Sequence, residues 1–314
     1  LGKSRSREVI EFKSNYPEHL GTLRRDILDG SVVVGDMRRF QIYDPKHRTI
    51  HAPCFRERVL DHALMNHAEP VLDRALVADT YACRVGKGAL AAVLRAQQHL
   101  RCWRWYGKAN IRSYFASIDH TILLELLMRR FKNQGLLALM GRIIQSHHSS
   151  PGKGLPIGAL TSQQFANYYL SGLDRHLLET CGVGGFVRYM DDLVWWGDSR
   201  EFVRIVWDSA SDYASERLGL EIKQPQQIDR SEQGLSFCGY RIFPGRLLLS
   251  RRRKRHYIEY RNKWEVAYRK GSINSLGLQA GYASALAITV HADAASWRRE
   301  QLQRNPLDES IAAL

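Results

Sequence analysis

The feature that most constrains the fold is a pair of adjacent carboxylates inside an otherwise apolar segment. Residues 186–198 read FVRYMDDLVWWGD, and Asp191 and Asp192 lie between two runs of β-branched and aromatic residues. Such runs favour strands and Asp favours the turn between them, so the segment predicts a tight hairpin. A structural turn is the simplest interpretation of an Asp-Asp pair. Two carboxylates held close by buried strands repel each other, however, and a divalent cation would relieve that repulsion.

The composition points to a polyanionic partner. The 314-residue chain has a formal net charge of +14 and a pI near 9.7, which favours nucleic acid, although any basic protein could have the same total. This length predicts two or three subdomains around a continuous core. No apolar run is long enough to cross a bilayer, so we expect no membrane partner.

The cysteines favour a reducing environment. They are odd in number and lack metal-ligand spacing, which predicts free, buried thiols in a cytoplasmic protein. The five residues are Cys54, Cys83, Cys102, Cys181 and Cys238.

The first part of the chain predicts a helix followed by a hairpin. Apolar spacing indicates a helix near residues 18–28, and Gly30 ends it. Residues 31–34 and 40–43 alternate as the two strands of a hairpin would.

A basic strand and a second helix come next. Residues 44–53 predict a turn and a strand that carries Lys46 and Arg48, and residues 55–68 have helical spacing. Basic side chains on such a hairpin are most simply a solvated face.

The second informative segment is residues 106–120, YGKANIRSYFASIDH. It predicts a strand that ends near Asn110, and Asp119 is a suitable N-cap for a helix over residues 120–131. Further along, Asp198 and Glu201 predict the start of another helix.

The C-terminal part predicts a hairpin and then helices. Residues 235–243 alternate as a hairpin would, and helical segments follow from residue 250. Their basic run is either a solvated face or a surface that contacts a nucleic-acid backbone.

These segments together resemble the reverse transcriptase family. Residues 189–192 match its YxDD motif, and residues 106–120 match the strand that carries a further catalytic Asp. This chain departs from the family at that position, where it has Asn110. An amide oxygen carries no charge and binds magnesium more weakly than a carboxylate. Position 110 therefore holds either an introduced substitution or a natural impairment.

The resemblance implies an α+β fold of the right-hand polymerase type. It places fingers at residues 1–105, a palm at 106–245 and a helical thumb at 246–314. Within the palm, residues 150–170 would return toward the fingers.

The resemblance also implies a set of site residues. The catalytic residues would be Asp191, Asp192 and Asn110, and the same side chains with Ile111 would bind two Mg²⁺ or Mn²⁺ ions. The nucleotide would contact Lys46, Arg48, Arg58, Phe115, Ile157, Gly158 and Gln163. Lys223 would be a general acid, and the nucleic-acid-binding run would be Arg251, Arg252, Arg253, Lys254 and Arg255. Phe115 and Ile157 could equally be core residues, and Lys223 a surface lysine.

The implied activity is RNA-directed DNA polymerisation with an RNA template, a DNA primer and deoxynucleotides. Ile157 with Gln163 resembles the error-prone polymerases of diversity-generating retroelements, which act with a structured non-coding RNA and a small basic accessory protein. Two alternatives stay open. One is an antiphage-defence reverse transcriptase that acts with a non-coding RNA, and the other is a catalytically silent nucleic-acid-binding relative.

Overall fold

The computed structural model describes residues 6–43 and 47–307 as a mixture of helices and short sheets. The helices are α1 (Arg7–Ser14), α2 (Tyr16–Leu28), α3 (Phe55–Ala75), α4 (Ala89–Cys102), α5 (Tyr114–Ser117), α6 (His120–Met128), α7 (Gln134–Gln145), α8 (Leu160–Tyr169), α9 (Ser171–Arg175), α10 (Arg200–Leu218), α11 (Arg251–Arg269), α12 (Ser275–Ala287) and α13 (Ala295–Arg304). The strands are β1 (Met37–Ile42), β2 (Arg48–Pro53), β3 (Trp105–Asn110), β4 (Gly185–Tyr189), β5 (Asp192–Gly197), β6 (Gln227–Arg230), β7 (Leu235–Phe237), β8 (Tyr240–Ile242) and β9 (Leu247–Leu249).

The central element is a four-stranded antiparallel sheet in the order β4-β5-β3-β6. Successive residues of a strand point to opposite faces, and Trp195 and Trp196 accordingly enter two different apolar clusters. On one face Trp195 packs with α10 and the helices around it. On the other, Trp196 packs with α4 and with the small sheet β7-β8-β9. Burial of both faces fixes the register of β5, because a shift by one residue would exchange them.

Local sequence signals correctly predicted several elements. The helix expected near residues 18–28 is α2, and Gly30 follows it with a φ of +69°. The N-cap at Asp119 is confirmed, because its carboxylate accepts hydrogen bonds from the backbone N–H groups of Thr121 and Ile122. That helix ends at Met128, three residues earlier than predicted.

The hairpin predicted from residues 31–34 is wrong. The backbone N–H groups of Ser31 and Val32 both donate to the Asp26 carbonyl, at 2.8 and 3.0 Å. These donors therefore terminate α2 and cannot join a strand. The strand that precedes the turn is β1, which pairs with β2 so that Phe40 lies opposite Ile50.

Two helix boundaries also differ from the predictions. The N-cap of α10 is Ser199, whose hydroxyl accepts from the Phe202 N–H at 3.0 Å, whereas Glu201 pairs with Arg204 instead of forming a capping box with Asp198. Helix α3 continues past its predicted end to Ala75, because its last turns are buried in the core.

The cysteines are free thiols, as predicted, but they are less buried than expected. Cys102 is exposed and the other four are half-buried. Across residues 6–43 and 47–307, no helix combines the length and the apolar character needed to cross a membrane.

A tight approach between β3 and β5 yields a stability prediction. A Cβ on Gly107 would lie 2.5 Å from the indole ring of Trp195, which the buried sheet cannot accommodate without moving. We expect Gly107→Ala to destabilise the protein by roughly 1–3 kcal/mol. The control is Gly21→Ala in α2, where a Cβ meets nothing within 4 Å, and where alanine should stabilise by up to about 1 kcal/mol. Chemical denaturation of both variants measures the difference, and equal stabilities would contradict it.

Candidate active site

The two carboxylates lie at the turn between β4 and β5. Tyr189 pairs with Asp192 across the hairpin, which leaves Met190 and Asp191 in the turn. Met190 has a φ of 55°, in the left-handed region that side chains other than glycine seldom adopt. The predicted hairpin is thus confirmed. Both Asp side chains line a cavity of about 1170 Å³.

A buried arginine supports this turn. The Arg188 guanidinium donates to the Met190 carbonyl at 3.0 Å and to both carboxylate oxygens of Asp174 at 2.7 Å. It also donates to the side-chain and backbone oxygens of Asn167, each at 2.9 Å. The Arg188 and Asp174 side chains are 0% exposed. The turn that carries the carboxylates is therefore held from inside the protein by a paired charge.

Asn110 ends β3 directly beside the carboxylates. It lies opposite Asp192 in the sheet, and its Nδ2 donates to Asp191 Oδ2 at 3.0 Å and to Asp192 Oδ1 at 2.9 Å. Its Oδ1 accepts a hydrogen bond from Lys223 Nζ. Three predicted catalytic residues and the predicted general acid are therefore in direct contact.

The electrostatics of the turn favour a cation. Burial raises the pKa of Asp191 above its ordinary value, and the neighbouring charge of Asp192 raises it further. Lys223 and the amide of Asn110 oppose this shift only in part. Since the charged form of Asp191 is costly in this environment, a bound positive charge would stabilise it.

The available ligands fit a divalent cation held by Asp191 and Asp192. Magnesium commonly uses one or two protein carboxylates and takes its remaining oxygens from phosphate and water. The Asn110 side chain turns its hydrogens toward both carboxylates, so its oxygen is not part of this set. Ile111 lies against the turn, where its N–H donates to the Asp191 carbonyl at 3.3 Å. Within the described residues, no three or more His, Cys, Asp or Glu side chains form a metal-holding group.

The cavity brings together many, but not all, of the predicted site residues. Besides the two carboxylates, its lining includes Arg48, Ile111, Phe115, Ile157, Gly158, Gln163, Lys223, Arg252 and Arg253. Asn110, Arg58, Arg251, Lys254 and Arg255 do not contribute to the lining. Lys46 falls outside the described residues.

The turn at Ile157 and Gly158 is docked on strand β2. The Ile157 carbonyl accepts from the His51 N–H at 2.8 Å. Gly158 has a φ of +128°, and a Cβ there would lie 2.8 Å from the His51 carbonyl oxygen. The close approach and the backbone conformation both require glycine. This contact fixes the turn relative to the strand that carries Arg48.

Arg58 has partners outside the cavity. Its guanidinium lies 5.2 Å from the centre of the Phe55 ring and 3.6 Å from the carboxylate of Glu8 on α1. The structure thus does not bring Arg58 to the other predicted nucleotide-binding residues.

The basic run of α11 is divided between packing and exposure. Arg253 stacks 4.2 Å above the ring of Tyr240 and donates to its hydroxyl at 3.0 Å. Lys254 lies 5.3 Å from the Trp297 ring, and Arg255 pairs with Glu259 at 3.7 Å. Arg253 therefore joins α11 to the strand β8, while Arg251 and Arg255 are exposed.

A second buried acid positions the helix that follows the Ile157 turn. Asp61 on α3 is 4% exposed and lies near the Leu160 N–H and the Thr161 side chain at the start of α8, both of which favour its charged form. Burial and the nearby charge of Glu57 raise the pKa of Asp61 to about 7. Asp61 thus brings a buried carboxyl group of α3 against the start of α8.

Sequence reasoning missed Arg188, Asp174 and Asn167. A signal for Arg188 was present, since it is the one charged residue in the apolar run that precedes Asp191. A buried charge must be paired. Nothing local identifies Asp174 or Asn167 as its partners.

The comparison with family models identifies the class of protein. The model described as "Reverse transcriptase (RNA-dependent DNA polymerase)" matches residues 43–242. The chain therefore belongs to the reverse transcriptase family.

The relatives found by sequence are distant and longer. Protein YkfC of Escherichia coli (strain K12) is 25% identical over 175 residues, which cover 51% of this chain and 45% of that protein. The group II intron-encoded protein LtrA of Lactococcus lactis subsp. cremoris is 21% identical over 171 residues, covering 52% of this chain and 28% of LtrA. The matched part thus spans less than half of either relative.

Solved structures of telomerase share the fold. Apo telomerase from Candida tropicalis, truncated from its C-terminal domain, has a TM-score of 0.50 at 14% identity, covering 70% of this chain and 56% of that chain. The telomerase of the same organism in complex with a telomeric RNA fragment has a TM-score of 0.50 at 11% identity, covering 91% of this chain and 59% of that chain. The predicted α+β, right-hand polymerase fold is confirmed.

The raised pKa of Asp61 predicts a pH-dependent stability. The folded state keeps the proton up to pH about 7, whereas an unfolded Asp loses it near pH 4. Stability contributed by this group is therefore complete below pH about 4 and is lost as the pH rises to about 7. Relative to Asp61→Asn, the wild type should lose up to roughly 4 kcal/mol across this window.

Denaturation of both proteins at several pH values measures this difference. The control is Asp212→Asn, which removes an exposed carboxyl group from α10. A constant difference between the wild type and Asp61→Asn from pH 4 to 7 would contradict the assignment.

Proposed function

We propose that this chain is an RNA-directed DNA polymerase that copies an RNA template into cDNA by two-metal nucleotidyl transfer. The observation that carries the proposal is the cavity of about 1170 Å³, because it joins the carboxylate turn to Arg48 of β2, to the Ile157 turn and to α11. Small-molecule sites usually have roughly 300–1,000 Å³. A nucleotide and the end of a primer would fit a space of this size.

In this proposal Asp191 and Asp192 would hold the divalent cations with support from the Ile111 carbonyl. A carboxylate at position 110, which Asn110 does not supply, would complete the set. When bound, Mg²⁺ or Mn²⁺ ions supply activation of the primer 3′-hydroxyl and charge neutralisation at the triphosphate. Lys223, which lines the cavity and contacts Asn110, would donate a proton to the departing pyrophosphate.

The other cavity residues would select and orient the deoxynucleotide. Arg48 would bind the triphosphate together with Lys46. Arg58, the third predicted residue, would have to leave Glu8 to reach it. Phe115, whose side chain lines the cavity beside Ile111, would exclude a ribose 2′-hydroxyl. Ile157, Gly158 and Gln163 would support the nascent base pair.

The domain organisation is part of the same proposal. Residues 1–105 act as fingers, 106–245 as the palm and 246–314 as the thumb. The run at residues 251–255 would contact the phosphates of the template–primer duplex, with Arg253 also anchoring the helix. The telomerase solved in complex with telomeric RNA supports RNA as a partner.

The finer proposal is an error-prone polymerase of the kind found in diversity-generating retroelements. What supports it is that Ile157 lines the cavity, where its aliphatic side chain would offer a nucleotide no hydrogen bond. Such an enzyme would act in the cytoplasm with a structured non-coding RNA and a small basic accessory protein. A defence cluster in the gene neighbourhood would favour the antiphage alternative.

Asn110 favours a second candidate function, a catalytically silent nucleic-acid-binding protein. The amide satisfies both carboxylates and Lys223 without any cation. A net charge of +14 would still support binding to nucleic acid.

Ile157→Gln tests the error-prone proposal. In the Asn110→Asp background, the glutamine should restore a polar contact to the nucleotide and reduce misincorporation opposite template adenine more than opposite other bases. Ile157→Leu is the matched control, because it keeps the side chain apolar. Sequencing of cDNA made on a defined RNA gives the error rates, and unchanged rates with Gln would show that Ile157 acts only in packing.

Asn110→Asp tests the polymerase proposal itself. The two side chains are nearly isosteric, so folding and duplex affinity should change little when magnesium is present to balance the added charge. The added charge strengthens cation binding where the reaction occurs, and we expect the rate to rise by two to four decades, about 3–5 kcal/mol of barrier. Single-turnover primer extension with magnesium measures this rate.

The control is Asp191→Asn in the same background, which should abolish the gain. Thermal melting of each variant verifies matched folding. If Asn110→Asp extends primers no faster than the original chain, the silent nucleic-acid-binding function is favoured.

A further inference from the structure

The amide nitrogen and the amide oxygen of Asn110 lie beside groups of opposite charge. Its Nδ2 hydrogens point at Asp191 and Asp192, and its Oδ1 faces the ammonium of Lys223. An amide nitrogen only donates and an amide oxygen only accepts. The reversed orientation would place oxygen against two carboxylates and nitrogen against a cation, so the neighbouring charges fix the orientation.

Backbone pairing places Lys223 in this position. The Lys223 N–H donates to the Asn110 carbonyl at 2.9 Å, and Ile111 forms a β-bridge with Ile222. The Arg112 N–H donates to the Glu221 carbonyl at 2.8 Å. The segment that carries Lys223 thus runs antiparallel to the end of β3, which holds the ammonium beside residue 110.

This arrangement opposes the use of Asn110 as a metal ligand. To offer its oxygen to a cation held by Asp191 and Asp192, the amide must turn over. It would then give up two hydrogen bonds to carboxylates and one to Lys223. The Lys223 ammonium also places a positive charge near the two carboxylates, and this charge repels a divalent cation that approaches them.

We propose that Lys223 acts as an internal cation, which locks the Asn110 amide away from the metal position and competes with a divalent ion at Asp191 and Asp192. The inference rests on the proposed function in one respect, that a divalent ion binds these carboxylates. Lys223 is therefore a positioning residue that acts through Asn110 before any substrate is present. A general-acid role alone would affect the reaction rate and leave metal affinity unchanged.

Equilibrium binding of Mn²⁺, followed by electron paramagnetic resonance without nucleotide or nucleic acid, tests the lock. Lys223→Met should bind Mn²⁺ about tenfold more tightly, because the competing charge and the amide's oxygen contact are both lost. Lys223→Arg keeps the charge and should stay near the wild-type affinity.

Lys108→Met is the matched control for removal of one positive charge. Lys108 lies on the same strand two residues before Asn110, but its Nζ donates to the Ser236 carbonyl at 2.9 Å. We expect its Mn²⁺ affinity to change by about threefold or less. Thermal melting shows whether each variant remains folded.

Three results would overturn the lock. They are an unchanged affinity in Lys223→Met, an equal gain in Lys108→Met, and no Mn²⁺ binding by any folded variant at millimolar concentration. The polymerase proposal fails separately, if Asn110→Asp binds Mn²⁺ but extends no primer. If Asn110→Asp extends primers but Lys223→Met leaves Mn²⁺ affinity unchanged, the proposed role of Lys223 is wrong and the polymerase proposal still stands.

Discussion

The ion pair between Arg188 and Asp174 is the interaction on which the rest of the site depends. Both side chains are completely buried, so their charges have no access to water and must be satisfied within the protein. The guanidinium does this with Asp174, with Asn167 and with the Met190 carbonyl. Removing one partner of such a pair leaves an uncompensated charge and typically costs roughly 3–5 kcal/mol. The contact with Met190 therefore gives the strained turn a rigid support.

The same network joins the carboxylate turn to other walls of the cavity. The backbone of Arg188 accepts from the Tyr81 N–H at 2.9 Å, and the Asn167 side chain donates to the Ala82 carbonyl at 2.8 Å. These contacts hold the loop before α4 against the sheet. Asn167 belongs to α8, the helix that begins just after the turn at Ile157 and Gly158. One buried charge thus relates the carboxylates, the loop before α4 and the Ile157 turn to each other.

Sequence reasoning succeeded where a local pattern determines the structure. The β-branched and aromatic runs around the carboxylates predicted the hairpin in residues 186–198, and the chemistry of Asp119 predicted its helix cap. It failed at residues 31–34, where alternation was present but the N–H groups were already used to end α2. It also could not find pairings across long separations in sequence. Lys223 contacts a residue 113 positions away, and no local period contains that information. The site residues were predicted from motifs, whereas the residues that hold them in place make tertiary contacts that no motif contains.

The substitution at position 110 shows how chemistry and folding can be separated in this sheet. Asn110 ends β3 through the same backbone pairing that any residue would make, and its side chain satisfies the neighbouring Asp191, Asp192 and Lys223. The amide leaves no unpaired donor there, so the fold gains nothing from a carboxylate at this position. A carboxylate would add a third negative charge beside Asp191, which burial and the charge of Asp192 already make costly to ionise, and without a cation that addition destabilises the site. Without a cation, asparagine is therefore the better residue for the stability of the site, whereas aspartate would be the better metal ligand.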